Sequence, residues 1–83
     1  MRVRGIRGAT QLEQDSASQM VDEVSQLLTE MLSSNGVKTE DLISIILTST
    51  PDLVSEFPAV AARKIGLGSV PLLCSVEIDV KGS

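Results

Sequence analysis

Residues 15–48 read DSASQMVDEVSQLLTEMLSSNGVKTEDLISIILT, and a change of hydrophobic period inside this stretch decides the fold. Met20, Val21, Val24, Leu27, Leu28, Met31 and Leu32 recur at the spacing of one face of a helix, the strongest periodic signal in the chain. Ser16 followed three residues later by Gln19 reads as a capping box. Asp22 and Glu23 put negative charge near the positive end of the helix dipole, and Asn35-Gly36 supplies a stop. After the polar turn Thr39-Glu40-Asp41, Leu42 to Thr48 is β-branched and mostly apolar, which predicts a strand covered on both faces.

Toward the C-terminus, Thr50-Pro51-Asp52 breaks that strand, and a short helix is predicted from Pro58, suited to the first helical position, to a stop at Gly66. Val70, Leu72, Cys74, Val76 and Ile78 then share one strand parity while Leu73, Ser75 and Glu77 take the other, with Pro71 at the strand start. Toward the N-terminus, Val3, Gly5, Arg7 and Ala9 alternate with Arg2, Arg4, Ile6 and Gly8. This predicts a first strand with Arg7 on the face opposite Arg2 and Arg4. Glycine weakens a strand interior and marks a bulge or a close approach, so Arg7, set between Gly5 and Gly8, is expected at an open strand end. The resulting order, β-α-β-α-β, is that of an α/β or α+β domain.

The composition narrows what such a domain does. Eighty-three residues make one small domain, 1–83, and a chain this short gains from partner subunits. Hydrophobic residues make up 42% against 22% charged, which is globular, and no apolar run is long enough to span a membrane or to form a signal-peptide core. A cytoplasmic protein is expected. A net charge of −4 and a single aromatic residue, Phe57, argue against nucleic acid as a partner. With no histidine, neither a Ser-His-Asp apparatus nor an imidazole metal site can be built from this chain, and one cysteine excludes an intrachain disulfide. Basic charge gathers at the start, where Arg2, Arg4 and Arg7 face only Glu13 within the first 14 residues.

Pattern alone leaves the site candidates open. Arg7 is either a guanidinium fork for a carboxylate or phosphate, or a strand-end arginine in a salt bridge. Glu77 is either a buried hydrogen-bonding group or a solvent-facing strand residue. Cys74 on an apolar strand face reads as a small core residue, Phe57 as a packing anchor and Arg63 as surface. The glycines around Arg7 match no phosphate-loop fingerprint.

Three motifs in order add to this reading. Val3-Arg4-Gly5-Ile6-Arg7-Gly8-Ala9-Thr10 is followed by Thr50-Pro51-Asp52-Leu53 with Phe57-Pro58-Ala59 and Arg63, and then by Val70-Pro71-x-x-Cys74-x-x-Glu77-x-Asp79-Val80. Together they resemble the monofunctional chorismate mutases of the AroH class, over the whole chain. The resemblance implies a cofactor-free isomerase that converts chorismate to prephenate on the route to phenylalanine and tyrosine. It further implies a homotrimer of mixed-sheet α/β subunits with helices on one sheet face and active sites in the clefts between subunits. A Claisen rearrangement needs no nucleophile and no obligatory proton transfer, so positioning and electrostatic preorganisation suffice.

Carried over by motif, Arg7 would bind the substrate's side-chain carboxylate near the reacting ether, and Glu77 with Cys74 would hydrogen-bond the ring hydroxyl. Phe57, Ala59, Leu72 and Leu73 would line the substrate pocket, and Arg63 would attract a carboxylate at its mouth. Cys74 and Glu77 differ in strand parity, which fits the family's use of these two positions in clefts on opposite sides of a subunit. Val60 and Leu73 stand where the family often has lysine and threonine. The family continues past the Asp-Val-x-Gly motif into further strands, the first carrying an arginine for the ether oxygen, so the domain is expected to be incomplete at its C-terminus. A non-catalytic oligomeric module that binds a small carboxylate through Arg7 and Arg63 is the alternative reading.

Overall fold

The computed structural model describes residues 2–82. Its longest element, helix α1, runs Ala17–Ser34 and is capped at both ends as its sequence directs. The Ser16 hydroxyl accepts from the Gln19 N–H at 3.1 Å. The reciprocal half of the capping box reaches further back than expected: Gln19 Oε1 accepts from the main-chain N–H groups of Glu13 (3.0 Å) and Gln14 (3.3 Å). At the other end Gly36 takes φ +62°, where the Val37 N–H reaches the Leu32 carbonyl at 2.9 Å and the Gly36 N–H reaches that of Ser33 at 3.3 Å. This is the paired 6→1 and 5→2 closure of a Schellman stop. Asp22 and Glu23 lie beyond the first turn, which holds no acidic residue, so the expected dipole contribution is not realised there.

A single turn of 3-10 helix, Thr39–Asp41, leads to strand β1 at Ile45–Ser49, three residues shorter at its start than the apolar run suggests. Helix α2, Pro58–Lys64, begins with Pro58 in its first turn and ends on a second Schellman closure. There Gly66 has φ +91°, the Leu67 N–H binds the Ala62 carbonyl at 2.9 Å, and the Gly66 N–H binds that of Arg63 at 3.1 Å. Strand β2, Leu72–Val76, pairs with β1 in parallel, with Ile45 beside Leu72, Leu47 beside Cys74 and Ser49 beside Val76. The ladder continues one bond further, from the Glu77 N–H to the Ser49 carbonyl at 2.9 Å. The α/β class therefore stands, realised as a β-α-β crossover preceded by a long helix.

The core forms where α1 meets α2 and α2 meets the strands. Met20, Val24 and Leu28 of α1 are buried against Ala61, Ala62, Leu67 and Val70, with Leu42, Ile45, Leu47 and Leu72 packed around them. Ala61 and Ala62 have no exposed surface, and their small side chains let the two helices approach closely.

Two expectations are corrected here. Residues 2–10 are exposed and residues 2–12 form no strand, because a strand needs a ladder partner and none lies beside this segment among the described residues; Gly5 and Gly8 also weaken the extended state. Nor is β1 covered on both faces: Ile45 and Leu47 turn inward, but Ile46 on the other face is 65% exposed, because both helices gather on one side.

Candidate active site

The loop between β1 and α2 and the ends of both strands enclose an open groove of about 290 Å³. Leu53, Val54, Ser55 and Phe57 form one wall; Ser49, Cys74, Ser75 and Val76 form the other. These are the carboxyl ends of parallel strands, where ligands bind open α/β sheets in general.

Two of the expected site residues, Phe57 and Cys74, meet in this groove, for a reason local to each. Phe57 caps α2, with extended backbone before Pro58 and its N–H bound by Glu56 Oε1 at 2.9 Å, so its ring projects from the helix start rather than into the core. Phe57 is 71% exposed, which corrects its reading as a packing anchor. Cys74 has the parity of Leu72, but only Leu72 of β2 is drawn against the core, and the thiol is exposed rather than buried.

The remaining candidates lie around the groove or apart from it. Leu72 is half-buried against the core on the face that Cys74 shares, Ala59 is buried inside α2, and neither lines the groove. Leu73 and Glu77 take the opposite strand parity and are exposed on the other face of the sheet. Arg63 is exposed near the end of α2, its Cγ 3.8 Å from where a Cβ on Gly68 would stand. Arg7 is exposed in the N-terminal segment, and among the described residues it takes part in no ion pair or hydrogen bond, so the salt bridge weighed for it is not formed.

What holds the Arg7 segment is α1. A Cβ on Gly8 would lie 2.7 Å from Met31 Sδ and 3.1 Å from Leu27 Cδ1, so the close approach at this glycine is made by the outer edge of the helix's apolar stripe. Two residues on, the Thr10 hydroxyl donates to Glu23 Oε2 at 3.0 Å, and Leu12 packs onto the core. The stripe read from the sequence therefore splits: Met20, Val24 and Leu28 serve the core, while Leu27 and Met31 seat the segment that carries Arg7.

One residue that the sequence did not single out bears on the groove. Asp15, just before the cap of α1, accepts through Oδ1 from the N–H groups of Val54 (3.1 Å) and Ser55 (3.0 Å), and its carbonyl accepts from the Ser55 hydroxyl at 3.0 Å. The Ser55 hydroxyl does most to hold the Asp15 carboxyl below its ordinary value of 3.8; partial desolvation opposes this, and the two N–H groups add to the lowering. An aspartate before a serine cap reads as ordinary capping chemistry, and its partners lie 39 and 40 residues away, beyond any local pattern.

A parallel β-α-β unit with an open groove at its strand ends defines an α/β protein of the ligand-binding or enzyme class. Sequence and structure comparisons specify which. Residues 3–83 match the family of type I chorismate mutases. The chorismate mutase AroH of Thermus thermophilus is 48% identical over 82 residues, covering 98% of this chain and 67% of the relative. That of Bacillus subtilis is 42% identical over 83 residues, covering 99% of this chain and 65% of the relative. A solved chorismate mutase from Clostridium thermocellum superposes with a TM-score of 0.93 at 49% identity, covering 98% of this chain and 72% of that one. The chain belongs to the type I chorismate mutase family, in its AroH class, and spans about two thirds of the length of the curated relatives it matches.

Proposed function

We propose that the protein converts chorismate to prephenate, as an isomerase of aromatic amino acid biosynthesis, in clefts completed by neighbouring subunits of a homotrimer. The observation that carries this reading is the groove that sets Phe57 against Cys74 at the strand ends of a chain belonging to this family. The substrate is a dianion whose rearrangement is pericyclic, so the protein's task is to hold one conformer and to place charge around it.

In this reading the Phe57 ring and the Cys74 side of β2 form the apolar and polar walls of a cleft. Arg7 supplies a bidentate fork for the side-chain carboxylate, with Arg63 at the mouth. Glu77 accepts a hydrogen bond from the ring hydroxyl, and Cys74 contributes its weak S–H donor. Cys74 and Glu77 point to opposite faces of β2, so each subunit serves two clefts with different residues. Leu73, of the same strand parity as Ser75 and Glu77, adds an apolar wall to the second cleft. Ala59 and Leu72 act from beneath by supporting the groove. The exposed apolar face bearing Ile46 and Leu73 supports association of subunits, since parallel strands are ordinarily covered on both sides. No helix among the described residues is long and apolar enough to cross a membrane, which accords with work in the cytoplasm on a soluble substrate.

The test is the rate of chorismate loss, followed by ultraviolet absorbance. The parent protein should turn over chorismate well above background, and Arg7→Ala should lower the rate by at least about 10²–10³-fold, as for loss of a preorganised donor. Saturable binding of chorismate without turnover in the parent would replace the enzyme by a carboxylate-binding module.

A further inference from the structure

The loop that forms one wall of the groove has little packing of its own. It turns at Thr50–Leu53, where the Leu53 N–H binds the Thr50 carbonyl at 3.1 Å, and only Leu53 is drawn against the core. Val54 is 80% exposed, and Ser55 and Phe57 are exposed as well. Phe57 is held on its C-terminal side by the buried Pro58 that starts α2, but on its N-terminal side apolar burial fixes Leu53 and leaves Val54 and Ser55 to other forces. What ties this stretch to the rest of the molecule is Asp15, whose carboxylate takes both consecutive N–H groups of Val54 and Ser55 while its own carbonyl takes the Ser55 hydroxyl. Asp15 does not itself line the groove.

We infer that Asp15 is a positioning residue for the chorismate site: by clamping Val54 and Ser55 to the start of α1, it sets the groove wall and the Phe57 ring that ends it. This deepens the proposed function and rests on it. A carboxylate that accepts two adjacent main-chain donors fixes a loop in one register, because both bonds form only when the two N–H vectors converge. Misplacing a substrate-contacting ring by an ångström is enough to lower kcat/KM, even when the change lies outside the site. The link is short: Ser55 to Phe57 spans two residues, with Glu56 closing onto the Phe57 N–H.

The test is steady-state kinetics on the full protein at a temperature where circular dichroism shows every variant folded. Asp15→Ala should lower kcat/KM about tenfold, mostly through KM, as expected for a wall that holds substrate. Asp15→Asn keeps an acceptor oxygen for the two N–H groups and should stay within about threefold of the parent. In a Phe57→Ala background the loss from Asp15→Ala should shrink to under about twofold, because the clamp then has no ring to place. A purely structural role predicts lower stability with unchanged kinetics in the folded enzyme, and that result overturns the inference. So do additive losses in the double variant, or an Asp15→Asn protein as impaired as Asp15→Ala. If Asp15→Ala does not fold, Asp15→Glu, which shifts the acceptor by one methylene, is put through the same cycle with Phe57→Ala. A parent that turns over chorismate while these couplings are absent overturns the clamp alone; a parent without turnover overturns the functional reading and the clamp with it.

Discussion

The two faces of the β1–β2 sheet carry the same kind of side chain and meet opposite surroundings. Ile45, Leu47 and Leu72 are half-buried against the helices, whereas Ile46 and Leu73, next to them in the strands, are 65% and 59% exposed. Residue chemistry does not distinguish the faces; cover does. The helices gather on one side because α1 spends its buried face on α2 and α2 spends its own on the strands. An apolar face that a chain does not cover with its own elements is suited to burial against another surface.

The comparison can be broken most sharply on the covered side. Leu28→Ala removes a buried side chain between α1 and α2 and should lower unfolding free energy by about 2–5 kcal/mol, read by urea denaturation. Ile46→Ala is its counterpart on the open face. In an assembled protein it should weaken association and make the unfolding midpoint more dependent on protein concentration. In a dissociated subunit it should cost no more than about 0.5 kcal/mol. A midpoint independent of concentration in both parent and variant would count against subunit association through this face.

A smaller effect separates two glycines in the arginine segment. Gly8→Ala drives a methyl into Met31 and Leu27 and should cost about 1 kcal/mol, since the thioether chain can yield, with reduced activity as the Arg7 segment lifts from α1. Gly5→Ala meets nothing within 4 Å and should leave stability within about 0.5 kcal/mol of the parent.

The smallest expected effect is in acid. Because the Asp15 carboxyl titrates below its unfolded value when folded, its contribution is present above that unfolded value and is lost as pH falls through the lower folded one. Asp15→Asn should therefore be less sensitive than the parent to acidification below pH 3.8, seen by comparing urea midpoints at pH 6 and pH 3. An equal fall in both proteins would show that other carboxylates govern acid unfolding.

What was legible in the sequence follows the range of the forces involved. Both helices, their Schellman stops and the two paired strands rest on local periodicity and on the backbone freedom of Gly36 and Gly66, and these were readable. The first strand was not realised, because alternation at Val3–Ala9 reports compatibility with a sheet but not the presence of a ladder beside it. Phe57 and Cys74 could be brought to one groove only by the motif resemblance, since pattern alone assigned both to packing. Exposure of Phe57 depends on the helix starting at Pro58, and exposure of Cys74 on β2 lending only Leu72 to the core, neither of which strand or helix periodicity reports. Asp15 escaped notice because hydrogen bonds to a loop 39 and 40 residues away leave no periodic trace.

The brevity of α2 also constrains how the groove comes into being. A helix of seven residues does not persist alone in water, and parallel strands cannot pair until the segment joining them has folded back. Neither the crossover nor either strand therefore stands by itself, and each owes its persistence to packing with the others and with α1. Both walls of the groove thus depend on the same packing, so a change that loosens α2 from α1 or from the strands bears on the two walls together.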